Sequence, residues 1–130
     1  MDKATLVSID IEGGRDLLKL LDEAKFKVVV AGWFHVPEFF DWRLWIASPV
    51  YDSEGMLEAL RRIQAVLRKA PPHLSIELAQ ITVVSPKDPV IRDLRRRYGK
   101  ADWFVEGTRI GGHMIGDRFV EDGYVYRVKR

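Results

Sequence analysis

The sequence predicts an α+β fold with a mixed, mainly antiparallel sheet of about five strands and three amphipathic helices, in the order α-β-β-α-β-α-β-β. Three observations favour this class. Residues 26–50 have the composition of a β-hairpin, three other segments show the apolar spacing of helices, and one of these helices lies between two strand-like segments. With 130 residues, 47% of them hydrophobic, we expect one globular domain over residues 1–130.

The first helix is predicted over residues 15–24, where leucines recur along one helical stripe and charged residues lie outside it. The preceding Gly13-Gly14 pair favours a break in the chain. Residues 5–12 fit either a short strand or an earlier start of the helix, and the sequence leaves both interpretations open.

The hairpin over residues 26–50 carries apolar residues on both of its faces, whereas a sheet with one side in water alternates apolar and polar residues. Trp33 and Phe34 point to opposite faces of the first strand, and Trp45 and Ile46 do the same on the return strand. Both faces therefore need a covering layer, which is either the chain's own helices or another molecule.

A second helix is predicted over about residues 54–70, with Asp52 or Ser53 as its N-cap and Pro71-Pro72 at its end. Strand-forming residues follow within residues 74–84. Because this helix connects two strands of one sheet, we expect a right-handed parallel crossover.

The third helix is predicted to begin at Ser85-Pro86, with Ser at the cap and Pro at the first helical position, and to end at Tyr98. Two strands, about residues 102–110 and 118–128, complete the chain. The connection between these strands is rich in glycine, with Gly111, Gly112 and Gly116. Hairpin geometry accounts for these glycines, since no helix follows them as a phosphate-binding loop requires.

Composition excludes several classes of protein. The chain has no cysteine, so disulfide frameworks, thiolate nucleophiles and cysteine-based zinc sites are excluded, and no motif indicates a cofactor. No segment approaches the ~18 consecutive apolar residues of a membrane span, and the first residues lack the pattern of a signal peptide. We therefore expect a cytoplasmic protein without membrane association. The absence of asparagine and the presence of only two glutamines predict a thermophilic source.

Aromatic residues on the predicted strands suggest a first function, that of a non-catalytic interaction module. Trp and Tyr are favoured anchors of protein interfaces, and three helices are few for the two faces of a five-stranded sheet. The expected partner is a second copy of the chain, as a homodimer, or another protein. The interface candidates are Trp33, Trp45, Trp103, Tyr124 and Tyr126. The competing interpretation is that the chain's own helices cover both faces.

Basic residues on the third helix suggest a second function, the binding of nucleic acid or another polyanion. The candidates are Arg92, Arg95, Arg96, Arg97 and Lys100. Arginines of the second helix would enlarge this patch if the two helices lay side by side. The formal net charge is only +2, however, so a solvated helix face whose cations suit the helix dipole is the competing interpretation.

A third hypothesis is a small enzyme or ligand-binding domain with a pocket near residues 35–41 or His113. His35, Glu38 and Asp41 lie close together in sequence at the predicted hairpin turn and form a weak candidate metal site. A metal site normally requires a further ligand nearby, and polar residues are common at turns, so the sequence predicts no metal here.

Overall fold

The computed structural model describes residue 6 and residues 8–38, 41–99 and 107–129. The elements in chain order are α1 (Ser8–Glu23), β1 (Val30–His35), β2 (Arg43–Ala47), α2 (Val50–Glu54), α3 (Met56–Arg68), a 3-10 turn (Leu78–Gln80), β3 (Ile81–Val84), α4 (Pro89–Tyr98), β4 (Thr108–Ile110), β5 (His113–Ile115), β6 (Arg118–Val120) and β7 (Asp122–Val128).

The main sheet has five strands in the order β3-β2-β1-β7-β4. Strands β2 and β3 pair in parallel, as the crossover predicted, and the other neighbours pair antiparallel. Strands β5 and β6 form a separate two-stranded hairpin. The α+β class and the mixed five-stranded sheet are thus confirmed.

Both faces of the main sheet are covered by the chain itself. Helices α1 and α3 pack on one face, in a core that includes Leu17, Ile63 and Trp33. Helix α4 and the β5–β6 hairpin pack on the other face, where Leu94 and Ile115 contact the sheet. This arrangement explains the two-sided apolar hairpin, because each face of β1 and β2 lies inside a hydrophobic core.

Helix α1 begins at Ser8, so the predicted break at Gly13-Gly14 is wrong and residues 8–12 are helical. The reason is a long-range contact, since a Cβ atom at Gly14 would lie 2.3 Å from the Tyr126 hydroxyl oxygen. Glycine at this position lets the helix approach strand β7 closely. Burial against the sheet therefore outweighs the low helix propensity of glycine.

The predicted helix over residues 54–70 is divided into α2 and α3 at Gly55, where φ is 90°. Asp52 and Ser53 lie inside α2 and do not cap the longer helix, so that expectation is wrong. The Ser48 hydroxyl accepts the Val50 N–H at 3.1 Å instead, and this bond supports the first turn of α2.

The N-cap of helix α4 is Asp88, three residues after the predicted cap. The carboxylate of Asp88 accepts the N–H of Val90 at 2.9 Å, and Pro89 occupies the first helical position. The hydroxyl of Ser85 accepts the N–H of Lys87 at 3.0 Å, in a local turn before the helix. The Asp-Pro pair thus provides the start signal that was assigned to Ser-Pro.

The C-terminal region contains an extra hairpin where a glycine-rich connection was expected. Strand β5 lies within that connection, and the predicted strand over residues 118–128 is divided into β6 and β7. Gly112 and Gly116 flank β5 with φ values of 76° and 61°, which side chains rarely adopt. Of the predicted strand over residues 102–110, the structure describes β4, and residues 102–106 lie outside the described residues.

Candidate functional site

The aromatic residues proposed as interface anchors lie mainly in the core. Trp33 and Tyr126 are 0% exposed and Trp45 is 4% exposed, so the chain itself buries these three side chains. Tyr124 is half-buried and packs edge-on against Tyr126, with ring centroids 5.4 Å apart. Trp103 lies outside the described residues. Trp33, Trp45 and Tyr126 are buried because helices or the β5–β6 hairpin cover each face of the sheet.

A buried hydrogen-bond chain lies in the core between the sheet and helices α1 and α3. The indole N–H of Trp33 donates to the Tyr126 hydroxyl oxygen at 3.0 Å, and that hydroxyl donates to the carbonyl of Ile11 at 2.6 Å. Burial raises the pKa of Tyr126 above its ordinary value, so the hydroxyl stays neutral and both accepts and donates. The role of these two aromatic residues is to join β1, β7 and α1.

Two of the basic residues predicted on the third helix, Arg92 and Arg96, share an outward face of α4. Val90, Ile91 and Leu94 are buried against the sheet, and the opposite side of the helix carries Arg92 and Arg96, both exposed. Arg95 is half-buried, and its Nε donates to the carbonyl of Lys129 at 3.1 Å. Lys100 lies outside the described residues.

Asp93, the single acidic residue within α4, is turned inward and bonded. Its carboxylate accepts the backbone N–H of Gly116 at 2.8 Å and the Nε of Arg97 at 3.0 Å, and it is also hydrogen bonded to Arg96. Burial raises the pKa of Asp93, but these bonds outweigh that effect and hold the pKa below its usual value. The carboxylate therefore stays ionised at neutral pH.

The β5–β6 hairpin lies beside α4 on the same face of the sheet. Its Ile115 and Val120 are buried, and the alternate residues Met114 and Phe119 are directly opposite each other and 53% and 41% exposed. The guanidinium of Arg97 donates to the Met114 carbonyl at 3.3 Å. We refer to the outward side of these two elements as the α4–hairpin surface, which consists of Arg92, Arg95, Arg96, Met114 and Phe119.

Sequence reasoning missed the exposed pair on this hairpin because Met114 was assigned to a glycine-rich connection and Phe119 to the last predicted strand. A signal was nevertheless present. Gly116-Asp117 separates two short segments that each end in two apolar residues, Met114-Ile115 and Phe119-Val120, and a two-residue Gly-Asp linker of this kind is typical of a tight hairpin turn.

An open cleft of about 600 Å³ lies within the α4–hairpin surface. It is lined by Arg92 and Arg96 together with Pro89, Asp93 and Gly116. Among the residues that the structure describes, no acidic side chain forms an ion pair with Arg92. The cleft therefore presents guanidinium groups to solvent, which suits an anionic group such as a phosphate.

The arginines of the second predicted helix do not enlarge this patch. Helix α3 packs on the other face of the sheet from α4, so its basic residues face a different side of the molecule. Arg61 and Arg62 on α3 pair with Glu58 and Glu54, at 3.4 and 2.8 Å. The condition for an enlarged patch, two helices side by side, is therefore not met.

The polar residues of the β1–β2 turn do not converge on one point. His35 Nδ1 lies 3.3 Å from a carboxylate oxygen of Glu121, while Glu38 lies 3.8 Å from the guanidinium of Arg118. Asp41 is half-buried. Within the described part of the chain, no three histidine or acidic side chains are grouped as metal ligands.

His113 lies at the start of β5, far along the chain from this turn. It is half-buried, and its Nδ1 lies 3.0 Å from the carbonyl of Gly111. Two shallow clefts of about 240 and 250 Å³ lie elsewhere, the first against Phe26 and Arg62 and the second against His73 and Leu74. His113 lines neither of them.

No protein-family model, no curated protein and no solved structure matches this chain. None of the described helices combines the length and the apolar character that crossing a bilayer requires.

Proposed function

We propose that this protein is a non-catalytic binding module for nucleic acid and that it binds the phosphate backbone through the α4–hairpin surface. The observation that carries the proposal is the division of charge on α4. Arg92 and Arg96 face outward, while the single acidic residue of the helix, Asp93, is turned inward and bonded to Gly116, Arg96 and Arg97. The helix therefore presents positive charge without an exposed carboxylate of its own.

This local charge matters more for binding than the net charge of +2. Phosphate contacts are made by individual arginines, and each contact releases condensed counterions from the nucleic acid. The side chain of Arg96 is 70% exposed although it is bonded to Asp93, so its remaining N–H donors are accessible. Arg92 and Arg96 are one helical turn apart, and both line the same cleft.

The test is fluorescence anisotropy with labelled oligonucleotides of about 20 nucleotides, single-stranded and duplex, at about 50 mM salt. The Arg92→Ala, Arg96→Ala double variant should bind at least one probe about 10-fold or more weakly. It should also reduce the slope of log affinity against log salt by about 1 to 2, because two phosphate contacts are lost.

The matched control is the Arg61→Ala, Arg68→Ala double variant. It removes the same formal charge from α3, on the other face of the sheet, and should leave the affinity within about twofold of the wild type, since long-range effects of surface charge are screened. If the wild-type protein bound neither the single-stranded nor the duplex probe, the proposal would be rejected. An equal loss of affinity in the two double variants would reject the assigned surface.

Association with a second copy of the chain is a second candidate function, supported by a different exposed feature. Met56 and Leu57 begin α3 and are 53% and 72% exposed, which makes them an apolar pair available to a protein partner. Light scattering coupled to size exclusion should then give the mass of a dimer, and Leu57→Ser should shift it to the monomer. A wild-type monomer at all concentrations would reject this candidate.

A further inference from the structure

Phe119 differs from the other large aromatic residues of the described chain. Among the described residues it is the only phenylalanine or tryptophan that is exposed. Its cross-strand neighbour Met114 is also exposed, so the two form a small apolar platform on the outer side of the β5–β6 hairpin. An exposed aromatic ring beside cationic side chains is a typical arrangement for stacking with nucleic-acid bases.

The platform and the arginines of α4 face the same side of the molecule. Both elements pack on one face of the sheet through their buried residues, so their opposite faces point to the same solvent side. Two contacts hold them together, from Gly116 to Asp93 at 2.8 Å and from Arg97 to the Met114 carbonyl at 3.3 Å. A chain bound along the arginines of α4 can therefore extend over the hairpin.

The position of α4 disfavours reading of a DNA duplex by this helix. A recognition helix enters the major groove, which is about 12 Å wide, and must project from its domain to do so. Helix α4 lies on the sheet and is bounded along one side by the β5–β6 hairpin. The bases of a single strand, in contrast, are accessible to an aromatic side chain on a broad surface.

We propose that the α4–hairpin surface binds single-stranded nucleic acid in preference to duplex, with Arg92 and Arg96 on the phosphates and Phe119 stacked on an unpaired base. This inference rests on the proposed function and specifies its ligand class. The neighbouring Met114 provides apolar contact beside the stacked base.

The experiment compares one labelled strand of mixed sequence, about 20 nucleotides long, with the same strand annealed to its complement. The wild-type protein should bind the single strand about 10-fold more tightly than the duplex. Phe119→Ala should weaken single-strand binding by about 10-fold, leave duplex binding unchanged and preserve the circular dichroism spectrum. Phe119→Tyr should retain most of the affinity, because it keeps an aromatic ring.

Ile9→Ala is the matched control, since it shortens an exposed apolar side chain on α1, on the other face of the sheet. It should leave the affinity for both probes unchanged. Equal binding of the duplex, or full single-strand affinity in Phe119→Ala, would overturn the single-strand inference and leave the proposed function standing. Absence of binding to both probes would overturn both proposals.

Discussion

The carboxylate of Asp93 accepts a hydrogen bond from the backbone N–H of Gly116 at 2.8 Å, and this contact joins α4 to the turn of the neighbouring hairpin. The other carboxylate oxygen is bonded to Arg96 and Arg97. One buried acidic residue thus fixes the geometry of the α4–hairpin surface while its charge is balanced from within the same helix.

Replacement of Asp93 should destabilise the protein. Asp93→Ala removes the acceptor for the Gly116 N–H and the ionic partner of two arginines, so we expect the free energy of unfolding to fall by about 2 kcal/mol. Asp93→Asn keeps one carbonyl acceptor, so it should lower the free energy of unfolding by a smaller amount. Urea unfolding of the two variants measures the difference, and wild-type stability in Asp93→Ala would show that the contact is energetically neutral.

Stability should fall in acid because two carboxylates have lowered pKa values in the folded state. Hydrogen bonding by the Arg127 guanidinium holds the pKa of Asp22 below its usual value, although partial burial opposes this effect. The pKa of Asp93 is also lowered, by its hydrogen bonds to Gly116, Arg97 and Arg96. As the pH falls, these two carboxylates are protonated at a higher pH in the unfolded chain than in the folded protein. Their contribution to the free energy of unfolding is therefore fully present above about pH 4 to 5 and is lost as the pH falls further.

The Asp22→Asn, Asp93→Asn double variant should lose this part of the pH dependence, since neither position titrates. Urea unfolding at a series of pH values from neutral to acidic provides the comparison. Parallel pH profiles for the wild type and the double variant would contradict the assignment of acid sensitivity to these two groups.

Gly112 and Gly116, two glycines with similar φ angles, should respond differently to alanine. A Cβ atom at Gly112 would meet no neighbour within 4 Å, so Gly112→Ala should cost only the left-handed strain of about 1–2 kcal/mol. A Cβ atom at Gly116 would lie 2.4 Å from the carbonyl oxygen of Pro89, so Gly116→Ala should cost about 1–3 kcal/mol more. Thermal unfolding compares the two, and equal losses would argue against close packing of the hairpin turn on α4.

The paired glycines of α1 provide a second matched comparison. A Cβ atom at Gly13 would lie 3.1 Å from the side chain of Ile76, and helix propensity favours alanine by about 1 kcal/mol, so Gly13→Ala should be near neutral. Gly14→Ala places the new atom against Tyr126, which is held by hydrogen bonds to Trp33 and Ile11, and should destabilise by about 1–3 kcal/mol.

Adding Tyr126→Phe to Gly14→Ala tests the cause of this loss. The double variant removes the hydroxyl oxygen nearest to the new Cβ atom, so the two substitutions together should cost less than the sum of their separate effects in chemical denaturation. Strict additivity would indicate that Gly14 is required for a reason other than its contact with Tyr126.

Local sequence patterns predicted the helices and strands of this chain well where the spacing of apolar residues and the residue composition indicated the same element. The hairpin of β1 and β2, the parallel pairing of β2 with β3 and the outward arginines of α4 all follow from spacing along the sequence. The thermophilic source inferred from the scarcity of amides stays a prediction.

The errors arose where distant residues decide local structure. Gly13-Gly14 continues a helix because α1 approaches Tyr126, which lies more than 100 residues away in the sequence. The aromatic residues Trp33 and Trp45 have the composition of an interface but lie in the core. Amphipathic spacing does not specify which element will cover a given face, so burial of these residues was not determined by their own segment.

The sequence by itself determined that this chain forms an α+β fold whose central hairpin is apolar on both faces, because side-chain alternation along a strand is a local property. Only the tertiary structure decided that α1 and α3 cover one face while α4 and the β5–β6 hairpin cover the other. That choice brings Arg92 and Arg96 to the same side as Phe119, since long-range packing sets which elements become neighbours.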